Sequence, residues 1–262
     1  MISHALAKFL AAFIPVSEIM FVRFIFGPLM IFPFLLLGKI KFKITRWSLI
    51  FWRTFFGITA MFGYMLALKL GDPGKVSLIF QCSSLWVYVL GKLFFGDNPS
   101  IQTKYAIPIA FLGLGLVIQP QNLYIIQLPD LISFIASLLN AGVLLSLKEL
   151  RRDHGSYSIL FANYTLSSIV TGLWMLPEVI IPHKLSILGA LIAMGFTGFI
   201  GNLCMTIGFK YTSASVASNL MLLLIPLMYL VGIIFFQETL DLHSIMGIVV
   251  VLASMIVISK YQ

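Results

Sequence analysis

The sequence predicts an all-α polytopic membrane protein. The expected plan is an inverted repeat of five-helix units, with nine full transmembrane helices and an N-terminal stub. Three observations lead there. The 262 residues are 60% apolar and only 10% charged, against about 25% charged in an average soluble domain. Nine continuous apolar runs read as spans, most of them near the roughly 20 residues that a bilayer demands. The two halves also match when the chain is shifted by 141 residues, from Lys69 to Lys210. So few charges cannot dress a water-soluble globule of this size, and two cysteines exclude a disulfide-stapled domain.

The expected spans, in order, are Ile19–Leu37, Trp47–Leu68, Val76–Phe95, Tyr105–Ile118, Leu131–Leu147, Tyr157–Leu176, Leu185–Phe209, Val216–Phe236 and Leu242–Ile258. The fourth is short, so its ends are expected to reach Ile101 or Pro120. Gly and Pro punctuate several runs, which lipid tolerates where neighbouring helices satisfy the backbone. A β-barrel would alternate polar and apolar residues; "LMLLLIPLMYLVGIIFF" does not. The opening "HALAKFLAAFI" contains Lys8 and stops at Pro15, too short to span, and reads as a partial or interfacial helix.

Loop charge gives the orientation. Lys39, Lys41, Lys43 and Arg46 lie on the same side as Lys148, Arg151, Arg152 and Lys260 when spans are counted. The segment 119–130 has no Lys or Arg, and 237–241 carries only acids. By the positive-inside rule, residues 39–46, 148–155 and 260–262 are cytoplasmic. The net charge of +8 is therefore topological and does not mark a nucleic-acid surface.

In the 141-residue register, Lys69 falls on Lys210, Ser77 on Ser218 and Asp97 on Glu238. The units divide as 1–120 and 121–262. Equivalent spans are five apart, so they cross in opposite directions, an arrangement that lets one interface site face either side. Leu131–Leu147 would map onto positions before Met1 and just after it. The first unit is thus expected to lack most of its first helix, with residues 1–8 as the tail.

These features resemble the drug/metabolite transporter superfamily, in its ten-helix branch of two EamA-type domains. The resemblance rests on Arg23 in "FVRF", Arg53 and Gly57 in "WRTFFG", and the steps Ala67-Leu68-Lys69 and Gly208-Phe209-Lys210. It also rests on Pro226 in the penultimate helix and on Asp97 and Glu238 at helix ends. The chain departs from the pattern in its short first helix, in Asp97 where Glu is usual, and in Gln237 where Gly is usual. The resemblance implies a transporter of the cell inner membrane, a monomer or homodimer, with a small-molecule solute and the lipid bilayer as partners. It implies no cofactor, no nucleic acid and no enzymatic activity.

Charges inside lipid are functional candidates. Arg53 sits about 10 Å into its span. It either snorkels to the headgroups or meets an anionic group, which a guanidinium suits. Arg23 is assigned a helix-end role, with Glu18 as a strained partner. Lys69 and Lys210 either neutralise helix C-termini or gate. Asp97 and Glu238 either end helices in solvent or fix a closure contact. No span carries a deep carboxylate, so coupling through a buried acid has no agent. Gln81, Ser84, Trp86, Asn140, Asn163, Asn202 and Asn219 are candidates for lining a solute pocket, with helix–helix contact as the alternative for each. The four histidines are scattered, Cys82 and Cys204 read as core fillers, and no metal motif is present.

The expected activity is secondary transport of a small organic metabolite by alternating access. By the resemblance, the solute is amino-acid-like or S-adenosylmethionine-like. The alternatives are an exporter of amphipathic drugs and a non-transporting membrane partner. Metabolite transport ranks above drug efflux because broad cation efflux wants an embedded carboxylate.

Overall fold

The computed structural model describes residues 2–40, 42–95, 100–118, 127–178, 184–211, 224–237 and 242–260. Among them are eleven α-helices and no strand. In chain order these are α1 (Ile2–Leu10), α2 (Val16–Leu36), α3 (Trp47–Leu70), α4 (Pro73–Gln81), α5 (Ser83–Phe95) and α6 (Ile101–Ile118). There follow α7 (Leu128–Asp153), α8 (Ser156–Met175), α9 (Leu185–Tyr211), α10 (Leu224–Phe236) and α11 (Leu242–Lys260). Among the described residues, α2, α3, α7 and α9 are long and apolar enough to cross a membrane.

Local chemistry fixes several ends. Gly38 takes the left-handed conformation, φ 67°, that stops α2. Its N–H donates to Leu35 O at 3.0 Å and the Lys39 N–H to Phe34 O at 3.1 Å, the paired bonds that close a helix on a residue without Cβ. Pro73 opens α4 and Pro129 stands in the first turn of α7, where the missing N–H is one of the orphans anyway. Pro28 and Pro33 lie inside α2 and Pro108 inside α6, as lipid-embedded helices tolerate.

Two elements differ from the sequence expectation. The single span Val76–Phe95 is two helices. Cys82 separates α4 from α5, its N–H shared between Leu78 O and Ile79 O at 3.3 and 3.2 Å. No Gly or Pro stands at the break, although the polar residues Gln81, Ser83 and Ser84 flank it. The second difference is α1. It is not interfacial: Ser3, Ala7 and Leu10 are buried, and the helix packs on α9 and α3. Lys8 Nζ donates to Leu68 O at 2.5 Å and Gly71 O at 2.7 Å, neutralising the C-terminal end of α3. Lys69, in the same last turn, is exposed.

The most extensive helix contacts are α3 with α7, α6 with α11 and α2 with α8. One core cluster joins α1, α2, α3, α8 and α9 around Met20, Tyr64 and Leu160. A second joins α4, α5, α6, α10 and α11 around Ile79, Leu85 and Tyr229. Large apolar side chains such as Phe51, Trp52, Phe55 and Phe235 point outward, which suits a surface solvated by lipid tails.

Candidate functional site

A cavity of about 250 Å³ lies between α1, α2, α3, α4, α7, α8 and α9. Its polar wall is built from single residues on separate helices. Arg53 on α3 is 2% exposed and donates from Nη1 to Val143 O on α7 at 3.1 Å. Its Nε is buried with no hydrogen-bond partner among the described residues. Arg23 on α2 is 6% exposed and donates to Ser3 Oγ on α1 at 2.7 Å. Gly198 on α9 makes room for this pair. A Cβ there would stand 3.0 Å from Ser3 Oγ and 3.4 Å from the Arg23 guanidinium.

Amides fill the rest. Thr54 Oγ1 donates to Asn163 Oδ1 at 3.3 Å. Asn202 Nδ2 donates to the Tyr164 hydroxyl at 2.8 Å. Asn140 Nδ2 donates to Ser83 Oγ at 3.0 Å, just past the helix break. A buried polar chain leaves the cavity at His4, whose Nδ1 is 2.9 Å from the Tyr64 hydroxyl; that hydroxyl lies 2.9 Å from Ser77 Oγ. Among the described residues no Asp or Glu lines the cavity, and neither arginine forms an ion pair.

The structure therefore brings together Arg53, Gln81, Asn140, Asn163 and Asn202. Ser84 and Trp86 do not reach the cavity. Ser84 Oγ donates to Gln81 O at 3.0 Å, and Trp86 Nε1 to Ser137 Oγ at 3.1 Å, with its ring against Phe111 and Phe134. Arg23 is a cavity residue and not a helix-end charge, and no ion pair links it to Glu18 five residues away. Lys210 is exposed and its Nζ lies 5.6 Å from the Tyr211 ring centre. Asn219, Asp97 and Glu238 fall outside the described residues. Sequence reasoning missed Ser3 and His4, although Ser3, Ala7 and Leu10 share one helical face. Among the described residues no group of three His, Cys, Asp or Glu could hold a metal.

A helical bundle with an internal cavity of mixed polar and apolar lining and an apolar exterior is the form of a polytopic membrane transporter. The chain belongs to the EamA-like transporter family, whose profile matches residues 2–119 and 127–260; this is a transporter family and not an enzyme family. It is 21% identical over 259 residues to the "Pseudopaline exporter CntI" of Pseudomonas aeruginosa, covering 99% of this chain and 91% of that one. It is 24% identical over 252 residues to an "Uncharacterized transporter" of Archaeoglobus fulgidus, covering 92% and 85%. A crystal structure at 13% identity superposes with a TM-score of 0.69 over 97% of each chain, a likeness of fold alone.

Proposed function

We propose that the chain is a secondary transporter that carries a small polar metabolite by alternating access through the cavity at Arg53. The observation that carries this reading is the cavity itself. Seven helices contribute to it, and its two buried arginines would cost stability if they served packing alone. The volume of about 250 Å³ lies just below the 300–1,000 Å³ typical of drug-sized pockets. That favours a metabolite over an amphipathic drug.

The helix contacts support two units, 1–120 and 121–262, in inverted orientation. Exchanging α1 with α7, α2 with α8, α3 with α9, α4/α5 with α10 and α6 with α11 maps the main pairings onto one another. The α2–α8, α6–α11 and α4–α10 pairs return to themselves, and α3–α7 becomes α9–α1. The break at Cys82, beside Gln81 and Ser83, suits the discontinuous helices that line sites in inverted-repeat transporters. The loop charges favour a cytoplasmic C-terminus, with the cell inner membrane as the proposed location. The name of the Pseudomonas relative favours export as the direction. Two guanidiniums and, among the described residues, no acid weigh against a sulfonium solute such as S-adenosylmethionine and for one that presents a carboxylate.

Counterflow in proteoliposomes tests this reading. Vesicles preloaded with a metabolite pool should accumulate labelled member solutes, and empty vesicles should not. Folded protein that exchanges no member of a broad panel would support the non-transporting alternative.

A further inference from the structure

We infer that the solute is an organic dianion, a short dicarboxylate with one carboxylate at Arg53 and the other at Arg23. The inference rests on the reading of the cavity as the transport site and extends it to a substrate class.

Snorkelling does not account for Arg53. A snorkelling side chain runs along lipid to the headgroups, whereas Arg53 turns inward, 2% exposed, and reaches a carbonyl of α7. Arg23 also turns inward, onto Ser3. Each guanidinium has five N–H donors, and among the described residues each donates one hydrogen bond. Both arginines line a cavity that, among the described residues, holds no carboxylate. Two buried positive charges without counter-charge are costly in a low-dielectric interior, and a ligand bearing two negative charges removes that cost. A monoanion would leave one guanidinium uncompensated.

The two arginines also stand at different depths. Arg53 is six residues from the start of α3, and Arg23 is thirteen from the end of α2, the end joined to that start by residues 37–46. At 1.5 Å per residue their levels differ by about 10 Å along the bundle. Two cationic groups at different depths of one cavity suit two anionic groups on one small molecule. The planar fork of arginine matches carboxylate in bidentate fashion. Asn163 and the Asn202–Tyr164 pair line the same cavity and are able to bond hydroxyl or amino groups on the carbon chain.

The test is counterflow with five labelled probes: succinate, glutarate, alanine, lysine and inorganic phosphate. The expected result is saturable exchange of succinate or glutarate, well above alanine, lysine and phosphate. Arg53→Gln and Arg23→Gln should each lower dicarboxylate flux at least about tenfold, the worth of one charge-assisted bond. Arg→Lys at either position should keep part of it. A merely structural arginine would not change selectivity. Arg53→Gln should therefore raise the ratio of monomethyl glutarate to glutarate exchange. Preferred exchange of alanine or lysine by the wild-type protein overturns the dianion while leaving transport intact. Preference for phosphate shows that the two arginines converge on one oxyanion and likewise overturns it. An unchanged monoester ratio in folded Arg53→Gln also counts against it. Absence of exchange for these probes together with a broad metabolite panel would instead remove the transport reading beneath it.

Discussion

Lys75 Nζ lies 2.7 Å from Asp130 Oδ2, an ion contact that ties the start of α4 to the start of α7. The two ends are unequal: the Asp130 side chain is 2% exposed and that of Lys75 17%. Lys75→Met strands a buried carboxylate and should cost about 3 kcal/mol or more. Asp130→Asn leaves an ammonium that can slide its stem toward water and should cost less, about 1 kcal/mol. Unfolding in mixed micelles measures both, and equal costs would contradict the asymmetry.

Gly27 on α2 faces Tyr164 on α8, and an added Cβ would collide with the tyrosine ring. Tyr164 in turn accepts the Asn202 bond on the cavity wall. Gly27→Ala should therefore cost about 1–3 kcal/mol through overpacking and reduce transport as well. Gly189→Ala meets nothing within 4 Å and should be neutral or slightly stabilising, since Ala outranks Gly in a helix. Parallel unfolding and flux measurements on the two variants check the contrast.

The segment joining α2 to α3 is pinned to the turn between α7 and α8. The Thr45 N–H donates to His154 Nε2 at 3.1 Å, and the Lys43 N–H to Ser158 Oγ at 3.3 Å. Because Nε2 accepts, the ring proton sits on Nδ1, 3.1 Å from Leu150 O. His154→Ala leaves the Thr45 N–H without its acceptor and should loosen the segment by about 1–3 kcal/mol. Trypsin should then cleave after Lys39 or Lys43 faster than in the wild-type protein; an unchanged rate would mean that the pin carries no weight.

Lys8 closes the end of α3 from a different helix. Lys8→Met removes the charge from two carbonyls and should destabilise by about 1–2 kcal/mol. Lys69→Met should do nothing measurable. Thermal inactivation of the detergent-solubilised variants separates the two lysines.

The long helices were legible because a lipid-embedded helix is apolar all round. Trp47 starts α3 and Leu185 starts α9 as read, with ends within a few residues. The same uniformity hides rotational phase, since an apolar surface on every side has no stripe to orient it. Trp86 and Asn202 therefore looked equivalent in the sequence, yet one packs against Ser137 and the other faces the cavity. Arg23 was misplaced for a related reason. Depth is countable along a chain, but its hydrogen bond to Ser3 joins helices twenty residues apart and depends on where α1 packs. The break at Cys82 was invisible because backbone bonding nearly continues through it, with the Leu85 and Trp86 N–H groups both reaching Cys82 O.

Alternating access through this cavity is tested most directly at Gly201, which lines it and has open space where a side chain would go. The measurement is labelling of Gly201→Cys, in a background with Cys82→Ala and Cys204→Ala, by a membrane-impermeant thiol reagent applied to one face of the membrane at a time. The account predicts labelling from either face, because the same site opens to each in turn. Labelling from one face alone, or from neither, in protein that retains its fold would contradict it.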